Sequence, residues 1–122
     1  MNKIEIPIDP RPAIRINHKG RHKPNAIAYY QYKDSILSYC KAKGFELGNE
    51  ISITFYIPIG KSISKKERAE RLGQPHTFKP DLDNLIKAVK DALLKADSSV
   101  WRYKDMQKIW SEEGKIVIEN VV

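Results

Sequence analysis

Lys79–Leu94, KPDLDNLIKAVKDALL, is the stretch on which the reading of the whole chain turns. At about 100° per residue, with Asp83 as origin, Leu85, Ile86, Ala88, Val89, Ala92 and Leu93 fall on one arc, the core-facing side of an amphipathic helix. Asp83, Lys87 and Asp91 follow at i, i+4, i+8 on the exposed side. Asp81 cannot share that side from within the helix, because two helical residues turn a side chain by about 200°. Residues i and i+2 of an extended segment do point the same way, and Pro80 disfavours helical geometry at Lys79. Asp81 therefore joins Asp83 only from outside the helix or from its N-cap.

Two chemistries fit that pattern. In the first, Asp81 caps the helix, Asp83 is a first-turn acid favoured by the helix dipole, and Asp83 with Lys87 is an i, i+4 ion pair. In the second, the aspartates hold a hard divalent cation, which needs only one or two carboxylates and keeps several waters. Asp91 reads as a solvated helix charge beside Lys87, or as an outer member of such a site.

Outward from this helix, KIEIPI at the N-terminus alternates like a short strand, with Pro7 marking an edge or an end. A basic, Pro-rich loop follows, then a helix predicted over Asn25 to Lys43 with Gly44 as its stop. ISITFYIPI places Ile51, Ile53, Phe55, Ile57 and Ile59 at strand period. Ser64 stands three residues before Glu67, the spacing of a capping box on a short charged helix. The tail reads as two strands joined by a turn around Ser111 to Gly114. The order β, α, β, short α, α, β, β predicts an α+β domain, a small mixed sheet covered by helices. At 122 residues the chain is one domain, 1–122.

The composition is that of a globular protein, 41% hydrophobic and 30% charged. No apolar run approaches the roughly 20 residues of a membrane span, and MNKIEIPIDP lacks the apolar core of a secretory signal, so a cytoplasmic protein is expected. Cys40 is the only cysteine and reads as a small apolar helix residue. The formal charge is +7, and residues 1–80 carry 15 Lys and Arg against 7 Asp and Glu, whereas residues 81–122 carry 7 against 8. Such an excess suits a polyanionic partner for the first part and a cation site in the second. No P-loop, Rossmann glycine pattern or G-x-S-x-G occurs, which disfavours nucleotide cofactors and serine hydrolysis.

Arg11, Arg15, Lys19, Arg21, Lys23 and Lys79 are candidate phosphate contacts, with a solvated surface as the alternative. Lys65, Lys66 and Arg68 rank lower, being interrupted by Glu67 and Glu70. His18 and His22 have a helical metal spacing, but Gly20 between them and the basic surroundings favour a phosphate-contacting loop. Tyr29, Tyr30 and Tyr32 either stack on exposed bases or, at helical spacing, pack in the core or at an interface. Trp101 and Trp110 are expected to be buried in the domain or at a dimer contact.

KPDLDNLIKAVKDAL followed some ten residues later by YKDMQ resembles the central signature of the RusA family of Holliday junction resolvases, small phage and prophage endonucleases. The matching positions are Asp81, Asp83, Asn84, Lys87 and Asp105. The third aspartate often follows another acid in that family, whereas Lys104 precedes Asp105 here. The specific resemblance covers residues 79–107. It implies a homodimeric nuclease, dependent on Mg²⁺ with Mn²⁺ as a substitute, that makes paired nicks in four-way DNA junctions during recombination and repair. It further implies that Asp81, Asp83 and Asp105 bind metal and that Lys87 assists at the scissile phosphate. Two rivals stand beside this reading. One is a basic, non-catalytic junction-binding protein whose acids only cap and pair. The other is a metal nuclease acting on flaps, forks or RNA. The three aspartates would have to converge, with Asp81 non-helical and Asp105 folded back towards it.

Overall fold

The computed structural model describes residues 2–94 and 99–121. Its elements are β1 (Lys3–Ile6), α1 (Pro24–Lys43), β2 (Glu50–Pro58), α2 (Lys65–Arg71), α3 (Leu82–Leu93), β3 (Arg102–Ser111) and β4 (Lys115–Asn120). The predicted order and the α+β class are the observed ones.

The four strands form one sheet in the order β1-β4-β2-β3. β4 pairs antiparallel with both β1 and β2, while β3 runs parallel to β2. The two tail strands, adjacent in sequence, thus lie on either side of β2. Their turn passes against the N-terminal loop at Gly114, where an added Cβ would fall 1.9 Å from Asp9 Oδ1.

Strand alternation decides which face meets the helices. Ile51, Ile53 and Phe55 of β2, Ile116 and Ile118 of β4, and Ile4 and Ile6 of β1 are buried on one face. They meet Tyr29, Tyr32, Ile36 and Cys40 of α1 and Leu85, Ile86, Ala88 and Val89 of α3. The arc expected for α3 is the buried one. α1 begins with Pro24 at its first position and ends at Gly44, whose φ of 72° lets its N–H reach the carbonyls of Cys40 and Lys41. Ser64 caps α2, its Oγ accepting from the Glu67 N–H at 3.2 Å.

The tyrosines divide as core packing requires. Tyr29 and Tyr32 are buried, and Tyr30 is exposed beside Lys33. Burial raises the Tyr32 hydroxyl pKa to about 12, against a smaller opposing effect of Arg11, whose backbone N–H donates to that hydroxyl at 3.0 Å. Cys40 is buried, as expected of a small apolar residue. Trp101, which precedes β3, is 68% exposed and so is not buried within the domain, the first of the two places expected for it.

Candidate active site

Pro80 leads into α3 through a cis Lys79–Pro80 bond. Asp81 is the N-cap, with extended backbone (φ −67°, ψ 145°), and its carbonyl accepts the first helical bond from Leu85 at 3.2 Å. Its carboxylate makes no capping hydrogen bond. Asp81 therefore sits outside the helix, as joining Asp83 required, and its side chain is not spent on the helix end. Asp83 and Asn84 are exposed in the first turn. One turn further on, Lys87 Nζ lies 3.4 Å from Asp91 Oδ1, and Asp91 Oδ2 accepts from the Tyr29 hydroxyl at 3.0 Å. Asp91 thus ties α1 to α3, which leaves it poorly placed for an outer metal role.

Asp81 and Asp83 open onto neighbouring hollows that share Asn84. Asp81 lines one of about 460 Å³ with Pro12, Ala13, Lys79 and Pro80. Asp83 lines one of about 320 Å³ with Lys87, Lys90, Tyr103 and Met106. The N-terminal loop is stitched to this end of α3 by the Ala13 N–H, which donates to the Asn84 carbonyl at 2.9 Å.

Asp105 lies elsewhere. Ile51 pairs with Tyr103 and Ile53 with Met106, so Lys104 and Asp105 together oppose Ser52 in a β-bulge. The extra residue keeps Tyr103 and Met106 on the α3 side and turns Asp105 to the other face of the sheet. There it lines a hollow of about 470 Å³ with Ser52, Thr54 and Gln107, and Gln107 Nε2 donates to Thr54 Oγ1 at 3.2 Å. Among the described residues, no three His, Cys, Asp or Glu side chains are grouped closely enough to hold a metal ion. The expected convergence of Asp81, Asp83 and Asp105 is thus absent from this arrangement. Asp81 and Asp83, two exposed carboxylates, are of the donor type that a hard cation takes when water and phosphate oxygens complete its shell. Asp105 does not complete that set.

Three residues at the site carry no signal that sequence spacing reveals. Residues 73–76 run along the outer edge of β3: the Gly73 N–H donates to Trp110, the Trp110 N–H to Gln74, and the His76 N–H to Lys108, each at 3.0 Å. From β3, Lys108 Nζ donates to the carbonyls of Phe78 and Pro80, at 2.5 and 2.6 Å, and so fixes the approach to Asp81. His76 is buried with its ring centroid 4.3 Å from that of Trp110. Burial, then the nearby Lys108 charge, holds its pKa below the usual histidine value. Phe78 is 59% exposed. A lone aromatic before KPD was the available hint for Phe78, whereas Lys108 becomes visible only once β3 is laid beside the loop.

The basic loop is exposed at Arg11, Arg15, Lys19, Arg21 and Lys23, as is Lys79. Arg21 contacts the rings of both His18 and His22, so a cation stands where a metal would have to be. Arg68 bonds Glu112 at 3.0 Å and the Gly60 carbonyl at 2.9 Å, a local structural role.

A small mixed sheet backed by helices, with Asp81 and Asp83 exposed at a helix mouth beside a basic loop, defines the class as a small α+β protein with an acidic pair next to a cationic segment. The chain belongs to the RusA family: the family model described as endodeoxyribonuclease RusA matches residues 5–119. It is also similar to the uncharacterized protein YqaN of Bacillus subtilis (strain 168), 34% identical over 119 residues, which span 89% of this chain and 83% of that protein. Membership implies an endodeoxyribonuclease of the Holliday junction resolvase type. No helix among the described residues is long and apolar enough to cross a membrane.

Proposed function

We propose that the chain is a homodimeric, Mg²⁺-dependent endonuclease that resolves four-way DNA junctions by paired symmetric nicks, in cytoplasmic recombination and repair. Asp81 carries the reading: it is held extended outside α3 with its carboxylate free of the capping role that would explain it away. Asp81 and Asp83 would hold the ion, which when bound supplies an activated water and charge neutralisation at the phosphate. Lys87, one turn along, would meet negative charge developing on the scissile group. Asp105 belongs to the proposed catalytic set through its match to the family's third aspartate. Arg11, Arg15, Lys19, Arg21, Lys23 and Lys79 would follow the DNA backbone towards Asp81. A twofold dimer gives a twofold junction two equivalent sites, from which paired nicks follow.

The test is cleavage of a synthetic mobile junction in Mg²⁺, in Mn²⁺ and in EDTA, beside flap, fork and RNA substrates at one salt concentration. Cutting that needs the metal, favours the junction and falls at least about 100-fold in Asp83→Asn is expected. Metal-independent nicking, or full activity in Asp83→Asn, would sink the mechanism. That no three-acid cluster occurs among the described residues favours one alternative, a non-catalytic junction binder. It predicts tight junction binding with no cutting in either metal.

A further inference from the structure

Phe78 presents a large apolar ring to solvent at the point where the chain turns towards Asp81. Its exposure, 59%, is not that of a loose side chain on a loose loop. The Phe78 carbonyl is bound by Lys108, as is that of Pro80, the residue before Asp81. Behind the ring stand Trp110, with centroids 6.1 Å apart, and His76, edge-on at 6.2 Å. Beside it lies the Arg71 guanidinium, 5.7 Å from the Phe78 centroid and 5.0 Å from that of Trp110. The ring is therefore braced from behind and open in front, three residues from a proposed catalytic carboxylate.

What would cover such a ring is set by its surroundings. Arg71, Lys79 and Lys108 make the neighbourhood cationic, with Glu67 paired to Arg71 at 3.7 Å. A second copy of this chain docking here about a twofold axis would set these cations against their own images. A nucleobase satisfies both features at once, since it offers a flat π-face to the ring and brings a phosphate to the cations. Of the α1 tyrosines, Tyr29 and Tyr32 are buried and do not compete for the role, and Tyr30 is exposed beside Lys33.

We propose that Phe78, flanked by Arg71, is a stacking platform for an unstacked nucleobase at the branch point of a DNA junction. The proposal rests on the junction-binding part of the functional reading and is independent of cutting. Because every base has a π-face, the platform selects an open branch over continuous duplex without selecting sequence.

The test measures binding in EDTA, where no cutting occurs. Phe78→Ala is expected to weaken binding to a four-way junction between about fivefold and one-hundredfold, while binding to a linear duplex of equal length stays within about twofold. Phe78→Trp, which keeps a π-face, retains the parent affinity. Abasic sites are then placed at each branch-point nucleotide in turn. At the stacked one, the abasic loss and the Phe78→Ala loss fail to add. Equal losses on junction and duplex, equal losses in the Ala and Trp variants, or additivity at every position would overturn the platform. So would a smaller sedimenting species for Phe78→Ala, which would assign the ring to a contact between copies. A chain that stacks but never cuts defeats the nuclease reading alone; one that cuts with additive losses defeats the platform alone.

Discussion

Asp83 and His76 act in opposite ways on the stability of the protein. Asp83 is exposed in the first turn of α3, where its favourable interaction with the helix dipole is about 0.3–1 kcal/mol. Asp83→Asn therefore leaves the fold standing, and its loss of cutting is a chemical loss. His76 is buried against Trp110 with Nδ1 unpartnered, and folding holds it neutral. The unfolded chain takes up the proton first, so this contribution is complete above the unfolded value of about 6.5 and drains away as pH falls through it towards the lower folded pKa. The denaturation midpoint is expected to drop between pH 7 and pH 5, and His76→Phe, which keeps the ring contact, should flatten the profile. An unchanged slope in that variant would overturn the assignment to His76.

At the scale of elements, β3 is the strand that organises the site. Lys108 reaches from it to the two carbonyls flanking Lys79, so Lys108→Met is expected to lower kcat tenfold to hundredfold through misplacement of Asp81. KM for the junction should stay within about twofold, and Lys108→Arg should recover much of the rate. A fall in KM-linked binding with kcat intact would assign Lys108 to the DNA surface. The bulge at Lys104 and Asp105 makes a second prediction. If Asp105 takes part in cutting, its carboxylate must come round to the α3 side, so Mg²⁺ with junction DNA should change amide hydrogen exchange at residues 104–107. Asp105→Asn should abolish both the change and the cutting. An Asp105→Asn protein that cuts like the parent removes that residue from the proposed set. Much of this architecture was legible beforehand: the period of β2, the apolar arc of α3, Gly44 ending α1 and Ser64 capping α2 are local signals. The place of β2 between β3 and β4 was not, because strand order is settled by long-range pairing. Nor was the bulge, since one extra residue in a polar edge strand leaves no mark in the pattern and yet reverses the side to which Asp105 points.

For the molecule as a whole, charge is divided between jobs. The N-terminal loop gathers exposed cations and is tied to the start of α3 through Ala13. Binding to DNA should fall steeply with salt. Replacing Arg15, Lys19 and Arg21 with alanine together should flatten the plot of log affinity against log salt by up to about 2.7. Junction and duplex should weaken alike, since phosphate contacts carry no shape information. A loss confined to the junction would instead place these side chains at the branch point.

The same strand carries a consequence for the protein in concentrated solution. β3 lies at the rim of the sheet, and an unprotected rim strand is a template on which other chains zip up into aggregates. Here residues 73–76 close one end of it, and the kink at Lys104 and Asp105 puts two opposite charges and a break in spacing at the other. The extra residue that turns Asp105 away from α3 thus also denies a neighbouring strand a continuous ladder.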